Sequence, residues 1–216
     1  MASGVKIWDL PTRLFHWLLV LLFSFSWWSA ETGEMDWHRF SGTVLLGLLL
    51  FRLLWGFVGG STARFSSFVR SPAVVLGYLR GAASPRPGHN PLGALSVLAL
   101  LLALAVQITS GLFATDTDGL ESGPLSFLIS FDASRTFAEI HETSFKLFLA
   151  LVALHVATIL LYLVRRRNLI APMISGRDSQ TGFSLDGLKP APRFAFLISA
   201  AFAALFAWAA SKGFWL

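Results

Sequence analysis

Residues 137–164, FAEIHETSFKLFLALVALHVATILLYLV, contain neither proline nor glycine and are apolar over most of their length. Such a run reads as a helix that crosses a bilayer. It carries two histidines, His141 and His155, fourteen residues apart. At about 100° per residue they fall within roughly 40° of each other around the helix, and about 1.5 Å of rise per residue sets them roughly 21 Å apart along it. One face therefore presents two imidazoles, one toward each side of the membrane. Ionisable groups inside a span are costly and mark function. Neutral imidazole is a common axial ligand of haem iron. A matched pair on one face points to two stacked cofactors, each taking its second ligand from another helix.

The composition agrees with a membrane protein. Of 216 residues, 55% are hydrophobic and 13% charged, and the mean hydropathy is +0.65. This length suits one bundle of several spans. There is no cysteine, which excludes structural disulfides, thiolate-held clusters and covalent haem attachment through C-x-x-C-H. The net charge of +5 does not imply nucleic acid, because the basic residues flank apolar spans.

Four further spans are expected. Residues 14–30 form the first, with Lys6 and Arg13 ahead of it and His16 one turn inside. Bulky Trp28, three residues before a cut after Ala30, argues against a cleaved signal peptide. Taken alone, His16 beside Trp17 is equally an interfacial histidine. Residues 37–58 form the second span. His38 opens it, and Gly42 follows one turn below on the same face, where a small residue would admit a flat macrocycle. Arg52 lies fourteen residues beyond His38 and so faces the same way. It either meets a buried anion, such as a haem propionate, or snorkels to the interface.

In the connection 59–89, residues 65–79 are expected to lie as a helix on the membrane surface, ended by Pro85 and Pro87. His89 reads there as an interfacial or capping residue. Residues 91–113 form the third span, whose Gln107, Thr109 and Ser110 are expected to bond a neighbouring helix rather than a cofactor. Residues 114–138 read as an acidic loop. A fifth span, residues 194–210, has no polar ligand and reads as packing or anchoring.

Loop charges set the orientation. Lys6, Arg13, Arg64, Arg70, Arg80, Arg86 and Arg165–Arg167 all fall on one side, and the other side is mostly acidic. The positive-inside rule places the N-terminus in the cytoplasm and the C-terminus outside. His38 and His141 then share the outer level, and His16 and His155 the inner one. The clustered outer carboxylates Glu31, Glu34, Asp36, Asp116, Asp118 and Glu121 suggest docking of a basic partner.

The stretches TRLFHW, WHRFSG…FRLLWGFVG, IHETSF and ALH resemble the prokaryotic cytochrome b561 family and the related b-type cytochrome subunit of nickel–iron hydrogenases. The likeness runs from residue 5 to 163. It implies an all-α, transmembrane four-helix bundle with two b haems, ligated by His16, His38, His141 and His155. The di-haem core would be residues 1–167, and residues 168–216 a polar connection plus an accessory fifth helix. The resemblance implies electron transfer in the bacterial inner membrane, between a quinone pool and a redox partner such as a periplasmic c-type cytochrome. Alternatives are a hydrogenase anchor working with an iron–sulfur subunit, or a superoxide:quinone oxidoreductase. From another class comes a metal-binding transporter, which a b-type haem spectrum would discard.

Overall fold

The structure is a computed structural model that describes residues 5–81, 88–178 and 189–214. Pro85, Arg86 and Pro87 of the second connection lie outside the described residues. A short strand β1 (Val5–Lys6) precedes helices α1 (Leu10–Glu31), α2 (Met35–Val58), α3 (Phe65–Phe68), α4 (Pro72–Leu79), α5 (Pro91–Phe113), α6 (Phe131–Val164) and α7 (Ile170–Ser175); β2 (Arg177–Asp178) and α8 (Arg193–Ser211) follow. Five of these, α1, α2, α5, α6 and α8, are long and apolar enough to cross a membrane. The chain is a multi-pass helical bundle. Its exposed leucines, phenylalanines and tryptophans, among them Leu21, Leu102, Leu154 and Leu205, are the face such a bundle offers to lipid. Below, the near side is the one that carries β1, and the far side is opposite.

Helix α2 is the hub. It packs against α1, α5 and α8, while α6 lies along α5. The α1–α2 turn is only residues 32–34, which Gly33 makes possible by taking a left-handed conformation at φ +74°. Helix α8 presents a small-residue face, Ala195, Ser199, Ala203, Ala207 and Ala210, all buried. It approaches α2 so closely that a Cβ on Gly47 would stand 3.4 Å from the Ala207 methyl. Small residues are what let helices associate in lipid, where no hydrophobic drive operates between them.

Helix α6 has 34 residues, so it is about 51 Å long against a hydrocarbon core of about 30 Å. It starts before the expected span, capped by Ser130, whose Oγ accepts from Ala133 N. The polar residues Asp132, Ser134, Arg135 and Thr136 look loop-like only because this end stands clear of the bilayer. The surface segment 65–79 is broken into α3 and α4. Pro72 opens α4 and disfavours helical backbone in the residue before it.

On the near side the loops are knitted together. β1 pairs antiparallel with β2, and Ile7 N and Trp8 N both donate to Gly176 O. Arg13 donates to Ile174 O and Trp17 Nε1 to Met173 O, which ties α7 under α1. Asp9 serves two helices: its Oδ1 caps α1 through Thr12 N at 2.9 Å, and its Oδ2 accepts from Trp55 Nε1 of α2 at 3.0 Å. Asp9→Ala removes a cap and strands a buried indole N–H, at a cost of roughly 2–3 kcal/mol. The expected outcome in detergent is a thermal midpoint lower by roughly 5–10 °C; an unchanged midpoint would show that neither bond matters.

Candidate cofactor site

The far-side level is built from α1, α2, α5 and α6. His38 and His141 face each other across it, with ring centres 6.1 Å apart and planes at 85°. Both rings are held from behind by main-chain carbonyls. His38 Nδ1 lies 2.9 Å from Ser26 O, and His141 Nδ1 lies 2.8 Å from Gln107 O. A carbonyl can only accept, so each Nδ1 carries the proton and each Nε2 keeps its lone pair. Backing of this kind orients metal-bound histidines. A metal held by one nitrogen of each ring, at about 2 Å per bond, sets ring centres roughly 6 Å apart. The donor set therefore fits a bis-imidazole iron.

The surrounding residues support that fit. A Cβ on Gly111 of α5 would stand 2.8 Å from His141 Cε1 and 3.0 Å from its Nδ1, so only glycine lets the ring sit where the carbonyl holds it. Beside Gly42 a Cβ would meet nothing within 4 Å. Gln107 bonds α6, as expected: Ser144 Oγ donates to its Oε1, and its amide nitrogen lies 3.1 Å from His141 Nε2. That amide is the group that must yield when iron takes the lone pair.

The near-side level holds His16 and His155. They are close enough for the charge of His155 to reach the His16 ring. His16 packs edge-on against Trp17 at 4.9 Å. Its Nδ1 is buried and has no hydrogen-bond partner among the described residues. Arg52 shares this end of the bundle. It is only 3% exposed, so it does not snorkel. Its guanidinium lies over the Phe65 ring, 5.1 Å from the centroid, and Nη1 is buried without a hydrogen-bond partner among the described residues.

Between the two levels lies an aromatic layer that sequence reasoning did not pick out. Phe148, 3% exposed, is seven residues from both His141 and His155 and so shares their helix face. It meets Phe23 of α1, seven residues past His16, edge to face at 5.0 Å. Phe145 fills the layer against Phe23 and Trp27. The seven-residue spacing on both helices was the signal available in the sequence.

His89 differs from its expectation. The cap of α5 is Asn90, whose Oδ1 accepts from Gly93 N at 2.7 Å. His89 instead packs between Trp8, at 4.7 Å, and Phe68, at 4.9 Å. Burial, then the charges of Arg52 and His155, lower its pKa to about 4, so the ring is neutral at physiological pH.

The far-side carboxylates are less free than their sequence suggests. Arg39 bonds both Asp36 and Glu121, and Glu31 accepts from Trp27 Nε1.

A multi-pass helical bundle with facing histidines between its helices is the architecture of a membrane cytochrome b. Residues 7–176 match the family profile described as prokaryotic cytochrome b561, and the chain belongs to that family. No curated protein and no solved structure matches it. The family carries haem b and transfers electrons within the membrane.

Proposed function

We propose that the chain binds two b haems, one between His38 and His141 and one between His16 and His155, and relays single electrons between a quinone pool and a redox partner. The observation that carries this is the far-side pair, 6.1 Å apart with both Nδ1 atoms on carbonyls. Haem supplies one-electron cycling of its iron. The protein's part is to hold the His38 and His141 imidazoles in one tautomer, and with two histidines per haem the group would carry electrons rather than activate a substrate. Gly42 leaves room for the macrocycle, and Arg52 offers it a buried positive charge. Residues 1–167 form the haem-binding core and residues 168–216 the accessory part. The basic loops support a near side and an N-terminus in the cytoplasm of a bacterium, with the C-terminus in the periplasm.

The test is a haem count on purified protein with electron paramagnetic resonance. Two low-spin b haems per chain are expected; one haem, or a high-spin signal in the wild type, overturns the proposal. The partner, such as a periplasmic c-type cytochrome, meets the far side, where Glu34, Asp116 and Asp118 remain after Arg39 takes Asp36 and Glu121. Electron exchange with a basic soluble cytochrome should slow several-fold from low to high salt, and a flat salt profile rules out electrostatic docking there.

A further inference from the structure

Arg52 is a buried cation that makes no salt bridge among the described residues, although Asp9 is near enough for its charge to reach it. Twelve residues of the chain are acidic. Nine of them, from Glu31 to Glu142, lie in the far-side turns or in the outer part of a helix. Among the described residues, the near side has Asp9 and Asp178. Both Asp9 oxygens are taken, by Thr12 N and Trp55 Nε1. Asp178 sits in the β1–β2 ribbon and is already engaged. Asp186 lies outside the described residues. A guanidinium 3% exposed with an unpartnered Nη1 is costly unless an anion meets it.

A second unpartnered polar atom lies nearby. His89 Nδ1 is buried and has no partner among the described residues. The two groups belong to different elements but to one aromatic wall. Arg52 lies over Phe65, Phe65 meets Phe68 at 5.7 Å, and Phe68 meets His89 at 4.9 Å. Arg52 is close enough for its charge to act on the His89 ring. With its proton on Nδ1, His89 would set an N–H beside the guanidinium, and the two together would form a carboxylate receptor.

We propose that Arg52 and His89 are two arms of one buried carboxylate-binding site, and that its ligand is a propionate of the haem held by His16 and His155. This rests on the two-haem reading above. His89 is a positioning residue here, not an axial ligand. Its ring is clamped between Trp8 and Phe68, on the loop before α5 rather than on a haem-facing helix.

The test is a redox titration of both haems in the full-length protein and in Arg52→Leu, His89→Phe and Asp186→Asn. His89→Phe keeps the aromatic packing and removes the nitrogens. Losing a positive charge or a donor to a propionate favours the oxidised haem. Arg52→Leu and His89→Phe should therefore both lower the midpoint of the His16/His155 haem, Arg52→Leu by more. The His38/His141 haem should barely move, both haems should stay low-spin, and Asp186→Asn should match the wild type. Wild-type apoprotein reconstituted with haem dimethyl ester, which has no free carboxylates, should show no further shift on His89→Phe. An unchanged midpoint in His89→Phe overturns the proposal. So does loss of a low-spin haem in that variant, which would make His89 a ligand. An Asp186→Asn shift equal to that of Arg52→Leu would also overturn it, by making the chain's own carboxylate the anion. Failure of the two-haem reading itself would show separately, as a wild-type haem count below two.

Discussion

On the two-haem reading, the His38→Ala/His155→Ala protein should lose both haems, whereas His38→Ala/His141→Ala should lose only one. The difference follows from level. His38 and His141 meet across one layer, ring centres 6.1 Å apart, and His155 lies about 21 Å along α6 from His141. Removing both ligands of one iron leaves the other pair intact, so that double mutant should resemble either single mutant. Removing one ligand from each level damages both. His16→Ala should behave like His155→Ala, and His89→Ala should retain both low-spin haems. Haem content and spin state, from absorption and electron paramagnetic resonance, separate these outcomes. One undamaged bis-histidine haem in the cross-level mutant would break the pairing, and with it the antiparallel arrangement of α1, α2 and α6.

Gly111→Val should abolish the far-side haem and spare the other. The added Cβ would overlap the His141 ring, at 2.8 Å from Cε1, while Nδ1 is tethered to Gln107 O on the same helix. The ring cannot retreat and keep that bond. Overpacking of this kind costs about 1–3 kcal/mol. Here the strain falls on the atom that sets the tautomer, so the loss appears in ligation before it appears in stability. Gly111→Ala should give partial occupancy. Gly77→Ala is the control, since a Cβ there meets nothing within 4 Å. Two normal low-spin signals in Gly111→Val would mean that the His141 ring sits elsewhere when haem is bound.

Much of this was legible in the chain because bilayers impose length and because ligands on one helix obey its period. The third span was placed to the residue, Pro91–Phe113, since Asn90 and Pro91 mark its start plainly. The levels of the four histidines came from spacing and loop charge alone. What hydropathy cannot see is helix outside the lipid, and so α6 was started six residues late. Nor can it see three-dimensional neighbours of small groups. Gly111 looks like any glycine near a helix end until His141 is seen against it. Arg52 was left between two fates because one sequence position does not tell whether a long side chain turns outward or inward. The fold of α3 against α2, with Phe65 beneath the guanidinium, decides it. His89 was misjudged because its neighbours Trp8 and Phe68 are far from it in sequence.

The layer between the two histidine levels has an energetic meaning. Phe23, Phe145 and Phe148 offer no hydroxyl, amide or carboxylate through which a proton could hop. On the two-haem reading, an electron crossing from one level to the other would pass this layer without a proton relay through these three side chains. The step spans roughly 21 Å of a hydrocarbon core of about 30 Å, so it moves net charge through most of the membrane's electric field. At about 2.3 kcal/mol per charge per 100 mV for the full thickness, each transfer is opposed or assisted by roughly 1.6 kcal/mol per 100 mV. On that reading the membrane potential would bias the relay in one direction, as a term added to the potential difference between donor and acceptor.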